Sequence, residues 1–147
     1  MNQRIDNLGY LLNNTSRSLK WQLNRKLESY NLTSVQWAVL KDLHIFEMED
    51  KFKFATSASI AERLNIDRPT MSGVVNRLLR NGWIVTEENQ EDKRSQIISL
   101  TEKTCELISK LEALSDEIVI KALKGFKEKE IDALKDMLFR IVQNLSE

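Results

Sequence analysis

Between Thr56 and Thr101 the spacing of apolar residues changes character twice, and few folds accept that order. Ile60, Ala61 and Leu64 repeat at helical intervals, the turn "NID" follows, and Met71, Val74, Val75, Leu78 and Leu79 repeat at helical intervals again. Two short β-like runs come next, "WIVTE" (Trp83–Glu87) and "QIISL" (Gln96–Leu100), separated by a charge-dense stretch. Thr56 or Ser57 can cap the first of these helices. Pro69 fits the first turn of the second, where a missing N–H costs nothing, and Gly82 can take the left-handed conformation that closes it. A short helix, a tight turn, a second helix and a hairpin make a winged helix-turn-helix.

The flanking sequence reads as helix. Ile5, Leu8, Leu12, Leu19, Leu23 and Leu27 mark a long amphipathic helix ending near "SYN". Thr33 with Gln36 three residues later has the form of a capping box, so a second helix starts there, carrying Val35, Val39, Leu40 and Leu43. "EMEDKFKF" interrupts the period and reads as a loop, with room for a short strand at "FKFA". Thr101 caps a helix with Ile108, Leu111, Leu114, Ile118 and Ala122, which Gly125 breaks. The last helix carries Ile131, Leu134, Leu138, Ile141 and Leu145, steps of three and four that form a heptad seam. Such a seam needs a partner: the first helix of the same chain, or a second copy. The expected fold is therefore mostly α with a small β-hairpin. A winged helix-turn-helix core spans 33–100, and helical dimerisation regions at 1–30 and 102–147 come from both termini.

In helix-turn-helix proteins the second helix enters the DNA major groove. Here its exposed side offers Arg68, Thr70, Ser72, Gly73, Asn76, Arg77 and Arg80. Arginine can donate twice to guanine and asparagine twice to adenine, and Ser or Thr can meet bases or phosphates, while Gly73 permits close approach. The chain has 22 basic and 22 acidic residues, so overall charge gives no argument for nucleic acid. The segment 65–82 is different, with three arginines against the single acid Asp67. The competing reading is a solvated helix face, and a winged helix can also serve as a protein–protein interaction module without DNA binding.

The stretch "SIAERLNIDRPTMSGVVNRLLRNGWIVTEENQEDKRSQIISLT" resembles the DNA-binding core of the MarR (multiple antibiotic resistance regulator) family. The matching elements are Ala61 and Leu64, Asp67, Thr70 and Ser72, Arg77 and Leu78, Gly82, Asp92 and Arg94, and Leu100 with Thr101. The helical order outside this core fits as well. Three departures stand out: Thr104 where members commonly carry glycine, the long charged "EMEDKFKF" loop, and an acid-rich wing with Glu87, Glu88 and Glu91. Arginine in a narrow minor groove senses its width. Arg94 is the candidate inserting group, with Asp92 orienting its guanidinium. The resemblance implies the same pairing, and Lys93 would sit nearer phosphate.

The resemblance also implies a homodimer built from the terminal helices, on a pseudo-palindromic double-stranded operator. Ile5 and Leu8 with Ile131, Leu134, Leu138, Ile141 and Leu145 are the candidate interface. It implies a transcriptional regulator, expected to be a repressor, released by a small aromatic effector or by cysteine oxidation. Trp21, Trp37 and His44 are candidates for lining an effector pocket, against the plainer reading of tryptophan as core and histidine as surface. Cys105 lies in the first turn of a helix, where the dipole can lower a thiol pKa, against the plainer reading of small packing.

An enzyme finds little support: one histidine, one cysteine, no Gly-rich phosphate loop and no metal-ligand spacing. No cofactor is expected. A single cysteine, no signal-peptide core and no apolar run near the ~20 residues that span a bilayer lead to the expectation of a cytoplasmic protein without a membrane partner.

Overall fold

The computed structural model describes residues 6–51 and 55–146. Along the chain run α1 (Leu8–Leu27), a 3-10 turn (Glu28–Tyr30), α2 (Ser34–Met48), α3 (Ser57–Leu64), α4 (Arg68–Arg80), β1 (Ile84–Glu88), β2 (Gln96–Leu100), α5 (Glu102–Ala122) and α6 (Glu128–Leu145). Five of these helices start at a side chain that accepts an otherwise unpaired N–H three residues on: Asn7, Thr33, Thr56, Asp67 and Thr101. At Thr33 the box is reciprocal. Gln36 N donates to Thr33 Oγ1 at 3.2 Å, and Thr33 N donates to Gln36 Oε1 at 2.9 Å. At the next helix Thr56, not Ser57, is the cap, paired with Ser59.

The core joins every layer of the winged domain to α5. Leu40 and Leu43 of α2, Ile60 of α3, Met71 and Leu78 of α4, Ile84 and Ile98 of the hairpin, and Ile108 and Leu111 of α5 are all buried in one cluster. β1 and β2 pair antiparallel with Ile84 opposite Leu100 and Glu88 opposite Gln96. The first strand begins one residue later than its sequence suggests. The Trp83 carbonyl is instead taken up at the start of α5, accepting from Thr101 N at 3.2 Å and from Thr104 Oγ1 at 2.7 Å.

That contact explains the departure at Thr104. Its side chain is fully buried, and its hydroxyl ties the wing base to α5. Thr104→Val keeps the shape and removes the donor, so it is expected to lower stability by about 1 kcal/mol in urea unfolding. An unchanged midpoint would show that the bond contributes nothing.

One expectation needs correction. "EMEDKFKF" is not loop from its start, because α2 continues through Glu47 and Met48. The last turn is useful there: Glu47 Oε1 accepts the Leu100 backbone N–H at 3.0 Å, and Arg63 stacks over Phe46 at 3.8 Å. The chain then turns at Asp50, at φ 57°. Most of the suggested "FKFA" strand lies outside the described residues. Its last residue does join the sheet edge: Ile98 N donates to the Ala55 carbonyl at 2.8 Å, and Thr56 bridges Ile97.

The heptad seam of the last helix has two candidate partners. α1 packs along α5, tied by Lys26–Glu117 at 2.7 Å, and not along α6. Gly125, at φ 89°, lets the chain turn between α5 and α6. No described residue of α6 is buried; Leu138 is 41% exposed and Leu145 82% exposed. Of the two partners open to the heptad seam, the chain's own first helix is not the one used.

Candidate nucleic-acid interface

The recognition helix, α4, is fixed at its N-terminal end. Asn65, at φ 54°, closes α3, and Ile66 N donates back to the Ala61 carbonyl at 2.9 Å. Asp67 then opens α4: Oδ1 accepts Thr70 N and Oδ2 accepts Thr70 Oγ1, both at 2.8 Å. Those two bonds from Thr70, backbone first, hold the Asp67 carboxyl below its usual range. Behind the pair, Arg63 of α3 grips Asp42 of α2 with Nε–Oδ1 at 3.1 Å and Nη2–Oδ2 at 2.7 Å. The bidentate geometry, stacked on Phe46, ties α3 to α2 just before the turn into α4.

Met71, Val74, Val75 and Leu78 bury one face of α4. Six of the seven candidate contact residues, Arg68, Thr70, Ser72, Asn76, Arg77 and Arg80, are exposed, and Gly73 lies between them. At 100° per residue, Gly73, Asn76 and Arg80 form the front, Arg68 and Ser72 one flank, and Thr70 and Arg77 the other. The two flanks open into separate clefts. One, of about 380 Å³, runs under Arg68 and Ser72 toward α3 and Gln96. The other, of about 760 Å³, lies between Thr70, Val74 and Arg77 and the wall formed by Trp21, Asn24, Arg25 and the start of α2. A Cβ added at Gly73 would meet nothing within 4 Å, so packing within the chain does not require glycine there.

The wing tip carries the expected pair. Asp92 Oδ1 accepts both the backbone N–H of Arg94, at 3.0 Å, and its Nε, at 3.3 Å. The Arg94 side chain is 93% exposed, so its guanidinium is anchored at one edge and otherwise free to meet a partner. Lys93, Glu87, Glu88 and Glu91 all face solvent.

The proposed trio of pocket residues does not assemble. Trp37 is 3% exposed, in the core, because the face it shares with Leu40 is the buried face of α2. His44 is half-buried and does not line the large cleft. Only Trp21 does; it is 55% exposed, with the Arg25 guanidinium 4.9 Å from its ring centre. Arg25 and Arg77 join it in lining that cleft. Equal spacing along a helix established a common face and left open which way the face points.

Cys105 also differs from expectation. It is exposed, but its Sγ lies 4.0 Å from Glu47 Oε2. Partial burial first, and the nearby Glu47 carboxylate second, push the thiol pKa up, opposite to the expected helix-dipole effect. Sequence reasoning overlooked Asp67 as a cap, although an aspartate just before a proline-containing first turn is a readable signal. It also overlooked Glu47 and the Arg63–Asp42 pair, for which sequence carries no local signal.

Comparison with known proteins supplies the context. A model of the MarR family matches residues 30–95. The HTH-type transcriptional regulator YwoH of Bacillus subtilis (strain 168) is 30% identical over 125 residues, covering 85% of this chain and 80% of YwoH. The crystal structure of the S. aureus MepR–DNA complex superposes with a TM-score of 0.82 at 24% identity, over 94% of this chain and 98% of MepR. The transcriptional regulator PA3341 gives a TM-score of 0.79 at 28% identity, over 95% and 98% of the two chains.

Proposed function

The chain belongs to the MarR family of transcriptional regulators, and from that premise we propose that it binds a pseudo-palindromic operator as a homodimer and represses until a small ligand releases it. An enzyme is set aside because the family is one of transcriptional regulators. The observation that carries the DNA reading is the recognition helix: arginine, asparagine and hydroxyl side chains along its exposed face, with an unobstructed glycine at the front. MepR, of the same fold, is seen bound to DNA. Both favour DNA over a protein-interaction module.

In this reading residues 33–100 contact DNA, and 1–30 with 102–147 form the dimer. Arg68, Thr70, Ser72, Gly73, Asn76, Arg77 and Arg80 face the major groove, and Arg94, held by Asp92, enters the minor groove with Lys93 near phosphate. Leu8, Ile131, Leu134, Leu138, Ile141 and Leu145 meet the second copy; Ile5, assigned with them, lies outside the described residues. The two recognition helices would then stand ~34 Å apart, one turn of DNA.

The effector seat is the cleft carrying Trp21 and Arg25 on one wall and Thr70, Val74 and Arg77 on the other. A small aromatic molecule there would touch the recognition helix directly and bias its position. Release by oxidation of Cys105 gains no support, given its raised pKa. No described helix is long and apolar enough to cross a membrane, and the proposed site of action is the cytoplasm.

The test begins with duplexes that the purified protein retains from a random-sequence pool. Fluorescence anisotropy on a retained duplex is expected to show log affinity falling linearly with log salt. Arg94→Ala and Arg77→Ala should each weaken binding about tenfold and reduce the salt slope by about one. A protein that retains no duplex at low salt, or whose affinity ignores salt, would overturn the reading.

A further inference from the structure

The wing tip holds one buried amide in a loop that otherwise faces water. Asn89 is 9% exposed, while Glu87, Glu88 and every residue from Gln90 to Arg94 are exposed. Its side-chain amide and its backbone N–H bond within the loop. Its Nδ2 donates to Ser95 Oγ at 3.0 Å, its Oδ1 accepts Glu91 N at 3.1 Å, and its backbone N–H donates to the Ser95 carbonyl at 3.4 Å. Ser95 passes the connection on: its backbone N–H and its Oγ donate to the Asp92 carbonyl at 3.1 and 3.2 Å. The Asp92 carboxylate then holds Arg94. Hydrogen bonds thus tie the Asn89 amide, through Ser95, to the backbone of Asp92, whose own carboxylate holds the Arg94 guanidinium.

The charges at the tip give these bonds a purpose. Glu87, Glu88, Glu91 and Asp92 outnumber Lys93 and Arg94. A net-negative tip is repelled by phosphates, so it gains nothing from diffuse attraction. Its contribution must come from one cation delivered in a fixed place, with little rotamer freedom left to lose on contact. We propose that Asn89 is a positioning residue for Arg94, acting through Ser95 and Asp92 and touching no DNA itself. The proposal rests on the DNA-binding reading above.

A double-mutant cycle tests it, using a fluorescein-labelled duplex that the native protein retains from a random-sequence pool. Arg94→Ala should weaken binding about tenfold and Asn89→Ala about fivefold, while the double variant should match Arg94→Ala alone within about twofold. Ser95→Ala should resemble Asn89→Ala, and Ser95→Thr, which keeps the hydroxyl, should bind like the native protein. Without DNA, the amide protons of Glu91 and Arg94 in Asn89→Ala should exchange about tenfold faster at an unchanged melting temperature. Losses that multiply to about fiftyfold in the double variant would overturn the proposal, as additivity means independent action. Unchanged amide exchange would overturn it as well. If Asn89→Ala fails to fold, Ser95→Ala carries the same cycle. A native protein that retains no duplex would sink the DNA reading instead, and amide exchange would still decide whether the brace exists.

Discussion

A protein carrying Leu138→Asp and Ile141→Asp is expected to elute at the mass of one chain, keep its helical circular dichroism, and lose operator binding by about 100-fold or more. The reasoning starts from α6. Along its length Ile131, Leu134, Met137, Leu138, Ile141, Val142 and Leu145 fall within one sector of the helix, and none of them is buried. An amphipathic helix with its apolar face in water is a surface waiting for cover. α1 is laid along α5 and does not cover this face. Two carboxylates placed in the middle of the α6 face would have to be desolvated on association, which costs far more than the contacts return. The winged core, whose buried residues come from the other helices and the hairpin, should still fold. Each freed monomer can then reach one half-site, and the second contact is no longer intramolecular. Light scattering coupled to size exclusion decides the first part and anisotropy the second. A double variant that stays dimeric would remove α6 from the interface.

Gly73→Ala is expected to move two observables in opposite directions. Unfolding free energy should rise by about 1 kcal/mol, because alanine is the better helix former and the position is interior to a 13-residue helix. Among the described residues no atom lies within 4 Å of the new methyl group. Operator affinity should fall at least about tenfold, since the methyl would stand at the front of the recognition helix, where hydrogen-bonding distances to base edges leave no space for it. A glycine at this place costs the helix stability, and the proposed close approach of DNA is what would offset that cost. Chemical denaturation and anisotropy on the same preparation measure both signs. A variant that gains stability and binds as before would show that the front of α4 stays clear of DNA.

The features read correctly from sequence share a short reach. Thr33, Thr101 and the glycine after α4 announced helix boundaries because caps act over three or four residues. The Asp92–Arg94 pair was legible for the same reason, its partners being two residues apart. Asn89 and Ser95 are six apart in the same tip, yet asparagine and serine in a turn are too common to signal a brace. Trp37 and His44 were placed on one face correctly, but periodicity defines a face without orienting it. The reading of α6 stopped at two partners for the same reason.

The order of elements and the composition of the recognition helix were thus determined by sequence alone, through local hydrogen bonding and the helical period, and the family by the resemblance of an ordered set of motifs. Tertiary structure decided the rest, because those quantities depend on which surfaces meet. It set α1 on α5 and left α6 bare, turned Trp37 inward and Trp21 toward the cleft, and brought Glu47 beside Cys105 from 58 residues away. Partial burial first, and a carboxylate 4.0 Å away second, raise the thiol pKa against the helix dipole that sequence position alone would favour.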